Sequence, residues 1–431
     1  MPGAPKINYR QDIDGLRAIA VLAVLIFHLD VPGFAGGFVG VDIFFVISGY
    51  LITRIIRDEI VQTGTISFRR FYLRRSRRLL PAMFTVLLAS AVVAAFILPP
   101  AALMSFAGSL AASVVSASNF WFWSEAGYFD TSAHLKPLLH TWSLAVEEQF
   151  YLVWPLTLLA VLRFRSPLAW VVGIGVVSLA ANIIVVHGLD LGLFADGRTT
   201  IFFWAPFRIF EFVIGAAMVW AGAARSRFLN ESLVAVGLLA IGYSVLAFND
   251  ATVFLSTSAL VPCLGAALLI YAAPRSYLAL CFNNRAAAGI GLVSYSLYLV
   301  HWPLIVFYRH ITGAPLDNLD RLGLAAACAV LTLALYYGVE QRFRRSSQSS
   351  MKFIAATATV GVVLFAEFDD APAVNNHKMA AHHRIPPPHS TIAPPTAGDC
   401  STIGGPPLVI EMPPPPPGHT GKFSETALDA V

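Results

Sequence analysis

The sequence predicts an all-α polytopic membrane protein, and three observations carry that expectation. Of the 431 residues, 57% are hydrophobic and only 13% charged. Apolar runs long enough to cross a bilayer recur along most of the chain. Lys and Arg gather in a few short stretches between those runs. A hydrocarbon core of about 30 Å calls for about 20 apolar residues in a helix, which pairs its own backbone groups. With a mean hydropathy of +0.68, a soluble domain built on one large core is excluded. The net charge of +4 is a matter of topology rather than of partners, and no nucleic-acid partner is expected.

Taken in order, the candidate spans lie near 16–30, 38–57, 79–98, 144–163, 168–187, 201–222, 231–248, 253–273, 289–311, 320–340 and 353–367. The first run follows Lys6, Arg10 and Arg17 without a small-residue cleavage site, so it is expected to be a retained span rather than a leader. With a cytoplasmic N-terminus, the positive-inside rule puts Arg54 to Arg78, Arg163 and Arg165, Arg225 and Arg227, Arg275 and Arg285, and Arg342 to Arg345 on the cytoplasmic side. That parity holds only if the further run 101–121, rich in serine, does not cross. It is expected to be re-entrant or to lie along the outer face, against protein or a cavity. The result is eleven spans, inside at the start and outside at the end.

Beyond Phe368 the composition turns to Pro, His, Ser and Thr, with prolines at Pro386 to Pro388 and Pro413 to Pro417. This reads as a disordered extracytoplasmic tail, 368–431. Its histidines lack ligand spacing, and Cys263, Cys281, Cys328 and Cys400 are scattered, so neither a metal site nor a disulfide framework is expected.

Ionisable residues inside apolar runs are the candidates for chemistry, because they are expensive there without a partner or a task. Arg17 and His28 share the first run. Eleven positions at about 100° and 1.5 Å each put both on one helix face, about 16 Å apart. Snorkelling to the two interfaces would also account for them. Gly33, Gly36, Gly37 and Gly40 follow, leaving backbone free of bulk beside His28, and Asp42, Ser48 and Gly49 stand on the returning helix. Such glycines permit close approach of a ligand or of another helix.

Further along, Leu138 to Pro155 reads LLHTWSLAVEEQFYLVWP. Glu147 and Glu148 lie in the first turns of a helix, where anions are favoured, with Thr141 or Ser143 as cap and His140 beside them. Neighbours point about 100° apart, so at most one of the two carboxylates faces His28. A carboxylate bonded to one imidazole nitrogen leaves the other as base. Glu147 is taken as that partner, with Glu148 the alternative. Arg208 and Glu211 are three apart in FRIFEFVIG and can pair on one face. His301 precedes Trp302 and Pro303 in SYSLYLVHWPL, where it could touch an acceptor or cap an interface belt.

The opening, DGLRAIAVLAVLIFHL followed by GGFVGVDIFFVISGYLIT, resembles the membrane-bound acyltransferase 3 family, whose signature spacing of arginine, ten residues and histidine falls on Arg17 and His28. The 138–155 segment, SYSLYLVHWPL and YGVEQRFR (337–344, with Arg342 where a proline is usual) extend the resemblance over roughly residues 9–345. It implies a ten-span acyltransferase domain over 1–345, with 346–367 as one additional helix. Larger relatives carry a hydrolase-like domain beyond the last span. None is expected here, since Gly398, Asp399 and Cys400 only faintly echo its nucleophile motif.

The resemblance also implies chemistry. Its members O-acylate envelope polysaccharides and related glycans, so acetyl-CoA is the expected co-substrate and an envelope polysaccharide or lipopolysaccharide the expected acceptor, in the inner membrane. The arginine pairs Arg74 with Arg77 and Arg75 with Arg78 are similar to a family motif thought to hold the donor's phosphates, for which guanidinium forks are suited. Arg74 and Arg77 are the pair chosen, with Arg17, Gly36, Gly37, Ser48 and Gly49 toward the donor. His28 is the expected base oriented by Glu147, an acyl-histidine step being a variant. Asp42, His140, Ser143, Arg208, Glu211 and His301 fall to the acceptor. The alternative from another class is a transporter or flippase of a lipid-linked glycan.

Overall fold

The computed structural model describes residues 9–126, 133–187, 197–222, 226–249, 252 and 257–345. All of them fall within one compact unit, and a second unit, 375–431, lies outside the described residues. Every regular element among the described residues is helical.

Helix α1 (Gln11–His28) starts with Asp12 and Asp14 in its first turn, where carboxylates complement the helix dipole. After a turn through Asp30 and Gly33, α2 (Gly40–Thr63) returns and ends on Gly64 in the left-handed conformation, φ 73°. Helix α3 (Phe68–Ile97) is capped by the Ser67 hydroxyl, which accepts from the Arg70 amide. The next helix, α4 (Pro100–Val114), has 15 residues, fewer than a crossing needs. The chain breaks at Ser116, φ 56°, before α5 (Ser118–Glu125), so the run 101–121 is two short helices.

Helices α6 (Thr141–Val161), α7 (Pro167–Val186), α8 (Gly197–Phe203), α9 (Ile209–Ala217), α10 (Arg227–Ala247) and α11 (Leu260–Ala272) follow. The long α12 (Arg285–Thr312) starts on an Asn284 cap and stops at Gly313, φ 62°. Helix α13 (Asn318–Leu335) opens with a reciprocal capping box between Asp317 and Asp320. A π-helical turn, Tyr336–Glu340, leads from it into α14 (Gln341–Arg345).

Among the described residues eight helices are long and apolar enough to cross a membrane, against the eleven expected. Two departures have physical causes. The run 201–222 is split into α8 and α9 by a tight turn at Ala205, Pro206 and Phe207, where proline cannot continue the hydrogen-bond ladder. The first run is helical, but α1 begins at Gln11 and carries Asp12, Asp14 and Arg17. It is the buried centre of the bundle, packed on α2 and α12, rather than a wholly apolar span. The run 353–367 and the tail lie outside the described residues.

Small residues set the helix spacing around α1 and α2. A Cβ on Gly49 would lie 1.8 Å from the Phe212 carbonyl oxygen, and one on Gly215 1.8 Å from that of Val46, so α2 and α9 touch backbone to backbone. Gly36 and Gly37, expected to admit a ligand, serve the same purpose. Added Cβ atoms there would meet the Ser244 and Ala23 carbonyl oxygens at 2.0 and 2.3 Å. Gly36, Gly37 and Gly49 are therefore positions of close backbone packing.

Candidate functional site: two cavities on either side of Val41 and Tyr298

Arg17 and His28 stand near opposite ends of α1, and each lines a different cavity. The smaller, about 70 Å³, is lined by Arg17, Ser48, Arg75, Arg78, Ser143, Glu147, Tyr151 and Tyr295 among others. The larger, about 470 Å³, is lined by His28, Asp42, His134, His140, Trp142, Arg198, Arg208 and Trp302 among others. Val41 and Tyr298 line both. One helix thus offers a guanidinium to one chamber and an imidazole to the other.

The smaller chamber is lined by Arg75 and Arg78, the other of the two arginine pairs. Arg74 faces outward, its side chain 46% exposed, and pairs at 3.6 Å with Glu59. Neither Arg74 nor Arg77 lines the chamber, whereas Arg75 and Arg78 do. The cause is the phase of α3: Phe71 and Ala82 are buried, and Arg75 and Arg78 fall on the same stripe at spacings of four, three and four. The Arg75 guanidinium lies 3.6 Å from the centre of the Tyr151 ring. The Nε atoms of Arg75 and Arg78 are buried without a hydrogen-bond partner. Such donors suit the oxygens of an anionic ligand.

Glu147 belongs to this chamber too. It accepts from the hydroxyls of Ser48 and Tyr151, and Tyr151 in turn lies 3.0 Å from Ser48. Glu148, one step round the helix, does not line the chamber. Ser143 bonds the Tyr298 hydroxyl at 2.6 Å, fixing the ring that borders both cavities. Glu340, buried in the π-helical turn, accepts from Ser296 at 2.8 Å and links the chain's last signature stretch to α12.

The expected pairing of Glu147 with His28 does not form, because His301 takes that place. His28 Nδ1 and His301 Nε2 are 3.0 Å apart, and His301 Nδ1 lies 3.2 Å from the Leu297 carbonyl. A carbonyl only accepts, so His301 Nδ1–H donates to it and the neutral ring's Nε2 must accept. His28 therefore donates from Nδ1, which leaves its Nε2 lone pair as the basic site. The Trp302 ring packs on the His28 ring with centroids 4.5 Å apart. Two guanidiniums that sequence reasoning missed hold the end of α1. Arg309 donates to the His28 carbonyl at 3.1 Å and pairs with Asp30 at 2.7 Å, and Arg321 donates to the Leu29 carbonyl at 3.0 Å. Their signal was available only as basic residues complementary to a helix C-terminus elsewhere in the chain.

Deeper in the larger cavity, Arg208 pairs with Asp42 at 2.7 Å and with Glu211 at 2.7 Å, all three buried. The Phe45 and Trp142 rings lie 5.5 and 5.6 Å from the guanidinium. The expected Arg208 and Glu211 pair is present, and Asp42 joins it from α2. Asp42 and Arg208 line the cavity, while Glu211 supports them from behind. His140 faces the same cavity, with His301 and Tyr298 as ring neighbours. Among the described residues no group of His, Cys, Asp and Glu could hold a metal ion.

The bundle of membrane-crossing helices thus sets Arg17, Arg75 and Arg78 around one cavity and His28, its Nδ1 on His301, around the other, with Val41 and Tyr298 lining both. The chain belongs to the acyltransferase 3 family, whose acyltransferase domain matches residues 10–340. It is 33% identical over 348 residues to a peptidoglycan O-acetyltransferase, OatA, of Listeria monocytogenes, covering 77% of this chain and 55% of that protein. It is 34% identical over 365 residues to a putative peptidoglycan O-acetyltransferase, YrhL, of Bacillus subtilis, covering 78% and 55%. A third relative, the O-acetyltransferase OatA of Staphylococcus aureus, is 34% identical over 318 residues, covering 70% and 51%. The chain thus spans about half the length of these relatives. No solved structure matches it.

Proposed function

We propose that this chain is a membrane O-acetyltransferase that moves an acetyl group from cytoplasmic acetyl-CoA to a sugar hydroxyl of a cell-envelope polymer, with peptidoglycan as the acceptor. The observation that carries the proposal is the pair of cavities meeting at Val41 and Tyr298, arginine-lined on one side and histidine-lined on the other. Family membership favours acyl transfer over the transport alternative. The named activities of the relatives support peptidoglycan rather than lipopolysaccharide or exopolysaccharide.

Arg17, Arg75 and Arg78 hold the phosphates of the donor. Their fit rests on the unpartnered Nε atoms of Arg75 and Arg78 and on guanidinium geometry. The network of Ser48, Glu147 and Tyr151 keeps Arg75 in place from the same chamber. His28 accepts the proton of the acceptor hydroxyl at Nε2, with His301 fixing its tautomer through Nδ1. Asp42 and Arg208 shape the acceptor side of the larger cavity. The N-terminus lies in the cytoplasm, so the arginine chamber faces the coenzyme pool and the histidine chamber faces the envelope.

The test compares envelope glycans by mass spectrometry from cells carrying the full chain and cells carrying His28→Ala at equal membrane abundance. An acetyl-sized increment on muropeptides that vanishes with the variant is the expected result. An increment that survives the substitution removes His28 from the chemistry, and one found only on another glycan moves the acceptor.

A further inference from the structure

Tyr298 stands where the two cavities meet, and its surroundings are unusual for a buried ring. Protein interiors are close-packed, so a buried aromatic side chain ordinarily has no room to turn. Tyr298 is 6% exposed, yet it borders voids of about 70 and 470 Å³. Val41, the other residue that lines both, is short and stiff at its one side-chain torsion, and cannot sweep either void. The Tyr298 ring lies 6.2, 5.7 and 5.4 Å from those of Phe44, His140 and His301. Its polar grip is at the tip. The hydroxyl lies 2.6 Å from the Ser143 hydroxyl and donates to the His140 carbonyl at 3.2 Å, so it ties α12 to the start of α6. The Ser143 hydroxyl donates to the same carbonyl at 3.1 Å. When the tyrosine hydroxyl leaves, that carbonyl keeps a partner, and only ordinary neutral hydrogen bonding is given up.

We propose that Tyr298 is a positioning residue that latches the partition: bonded to the start of α6 it keeps the cavities apart, and turned into the larger void it opens a passage between them. The inference rests on the acetyltransferase reading above and says how the acyl group crosses. Arg17 and His28 are about 16 Å apart along α1. A donor held by its phosphates in the arginine chamber therefore has to pass its thioester through the partition to reach the His28 side. Ser143 lines the smaller cavity, where an amide of the donor's arm can bond its hydroxyl and loosen the tyrosine. Closed, the latch keeps the thioester from water that enters the larger cavity. Without the latch, water takes the acceptor's place. Its oxygen bonds to the thioester carbon, the carbon–sulfur bond breaks, and one of its protons goes to the sulfur while the other stays on the acid, giving acetic acid and free thiol.

The experiment uses the full-length wild type, Tyr298→Phe, Ser143→Ala and the double variant. Transfer of label from radiolabelled acetyl-CoA into glycan is measured in membrane vesicles. Release of labelled acetate and equilibrium binding of coenzyme A are measured on purified protein in liposomes free of glycan. Tyr298→Phe keeps the ring and loses both bonds of the hydroxyl, so it should bind coenzyme A as the wild type does and release acetate about 3- to 10-fold faster, as the loss of neutral hydrogen bonding allows. Ser143→Ala leaves the bond to the His140 carbonyl and should give a smaller rise. The double variant should match Tyr298→Phe, because no hydroxyl remains for the serine to hold. Acetate release by Tyr298→Phe at the wild-type rate overturns the inference and leaves the acetyltransferase reading standing. Loss of coenzyme A binding in Tyr298→Phe, or a double variant that releases acetate faster than Tyr298→Phe, overturns it as well. Wild-type vesicles that transfer no more label than vesicles lacking the protein overturn the acetyltransferase reading, and the inference falls with it.

Discussion

Arg74 and Arg75 are adjacent, and about 100° of helix separates their fates. The first pairs with Glu59 at the exposed side of α3, and the second lies over Tyr151 inside the arginine chamber. If Arg75 and Arg78 each make a charge-assisted bond to the donor, worth about 1.5–3 kcal/mol, then alanine at either should raise the apparent KM for acetyl-CoA by about 10- to 100-fold. Arg74→Ala should leave it within about twofold, as expected for an exposed ion pair. Steady-state kinetics on membrane vesicles measures both. At His301, alanine removes the acceptor for His28 Nδ1–H, whereas glutamine offers a carbonyl oxygen to the same bond. His301→Ala should lower kcat by about 10² or more, in the range of losses seen when a general base is misoriented, with KM for acetyl-CoA little changed, and His301→Gln should recover part of the loss. At this scale the sequence told residue type but not direction. Arg17, His28, Ser48, Glu147 and His140 were all found as candidates, and all line one cavity or the other. The partner of His28 was missed because His301 is 273 positions away, a contact that only the packing of α1 on α12 creates.

Helix α9 illustrates what hydropathy averaging hides. The run 201–222 is apolar throughout except for the Arg208 and Glu211 pair, so it passes as one span. Pro206 is the signal against that assignment, and the turn it imposes is what brings Arg208 to the start of α9 and against Asp42 of α2. The opposed glycines Gly49 and Gly215 let the two helices come close enough for the pair to form. Arg208 is thereby the cation between two buried carboxylates. Removing it leaves both without compensation, and breaking a buried ion pair costs about 3–5 kcal/mol. Arg208→Leu should therefore lower the thermal midpoint of the purified protein by several degrees. Combining it with Asp42→Asn and Glu211→Gln should recover most of that loss, because the neutral side chains no longer need a counter-ion. Thermal unfolding in detergent distinguishes this coupled behaviour from three independent effects. Helices α7 and α10 were legible because nothing within them opposes the apolar period, whereas α3, α6 and α12 run on through Pro81, Pro155 and Pro303.

For the molecule as a whole, the arrangement matters more than any one helix. Arg17 and His28 sit 11 residues apart on α1, a rise of about 16 Å, and this separation allows one helix to serve two chambers. Acetyl transfer from a cytoplasmic donor to an extracytoplasmic glycan needs both ligands to approach from opposite sides while their reacting atoms meet at the partition. The bundle should then be open to solutes from different sides at different depths. Leu51 lines the arginine chamber and Ala133 the histidine chamber. Single cysteines can be placed at these two positions in a background where the exposed Cys281 and the tail's Cys400 are serine and the buried Cys263 and Cys328 are kept. A membrane-impermeant maleimide should modify Leu51→Cys only in inside-out vesicles and Ala133→Cys only in right-side-out ones. Coenzyme A should slow modification of Leu51→Cys and leave Ala133→Cys unaffected if its phosphates are held beside Arg75 and Arg78, as proposed. Modification of both positions from one side would mean that the two cavities share an entrance, and donor and acceptor would then have to be drawn from the same compartment.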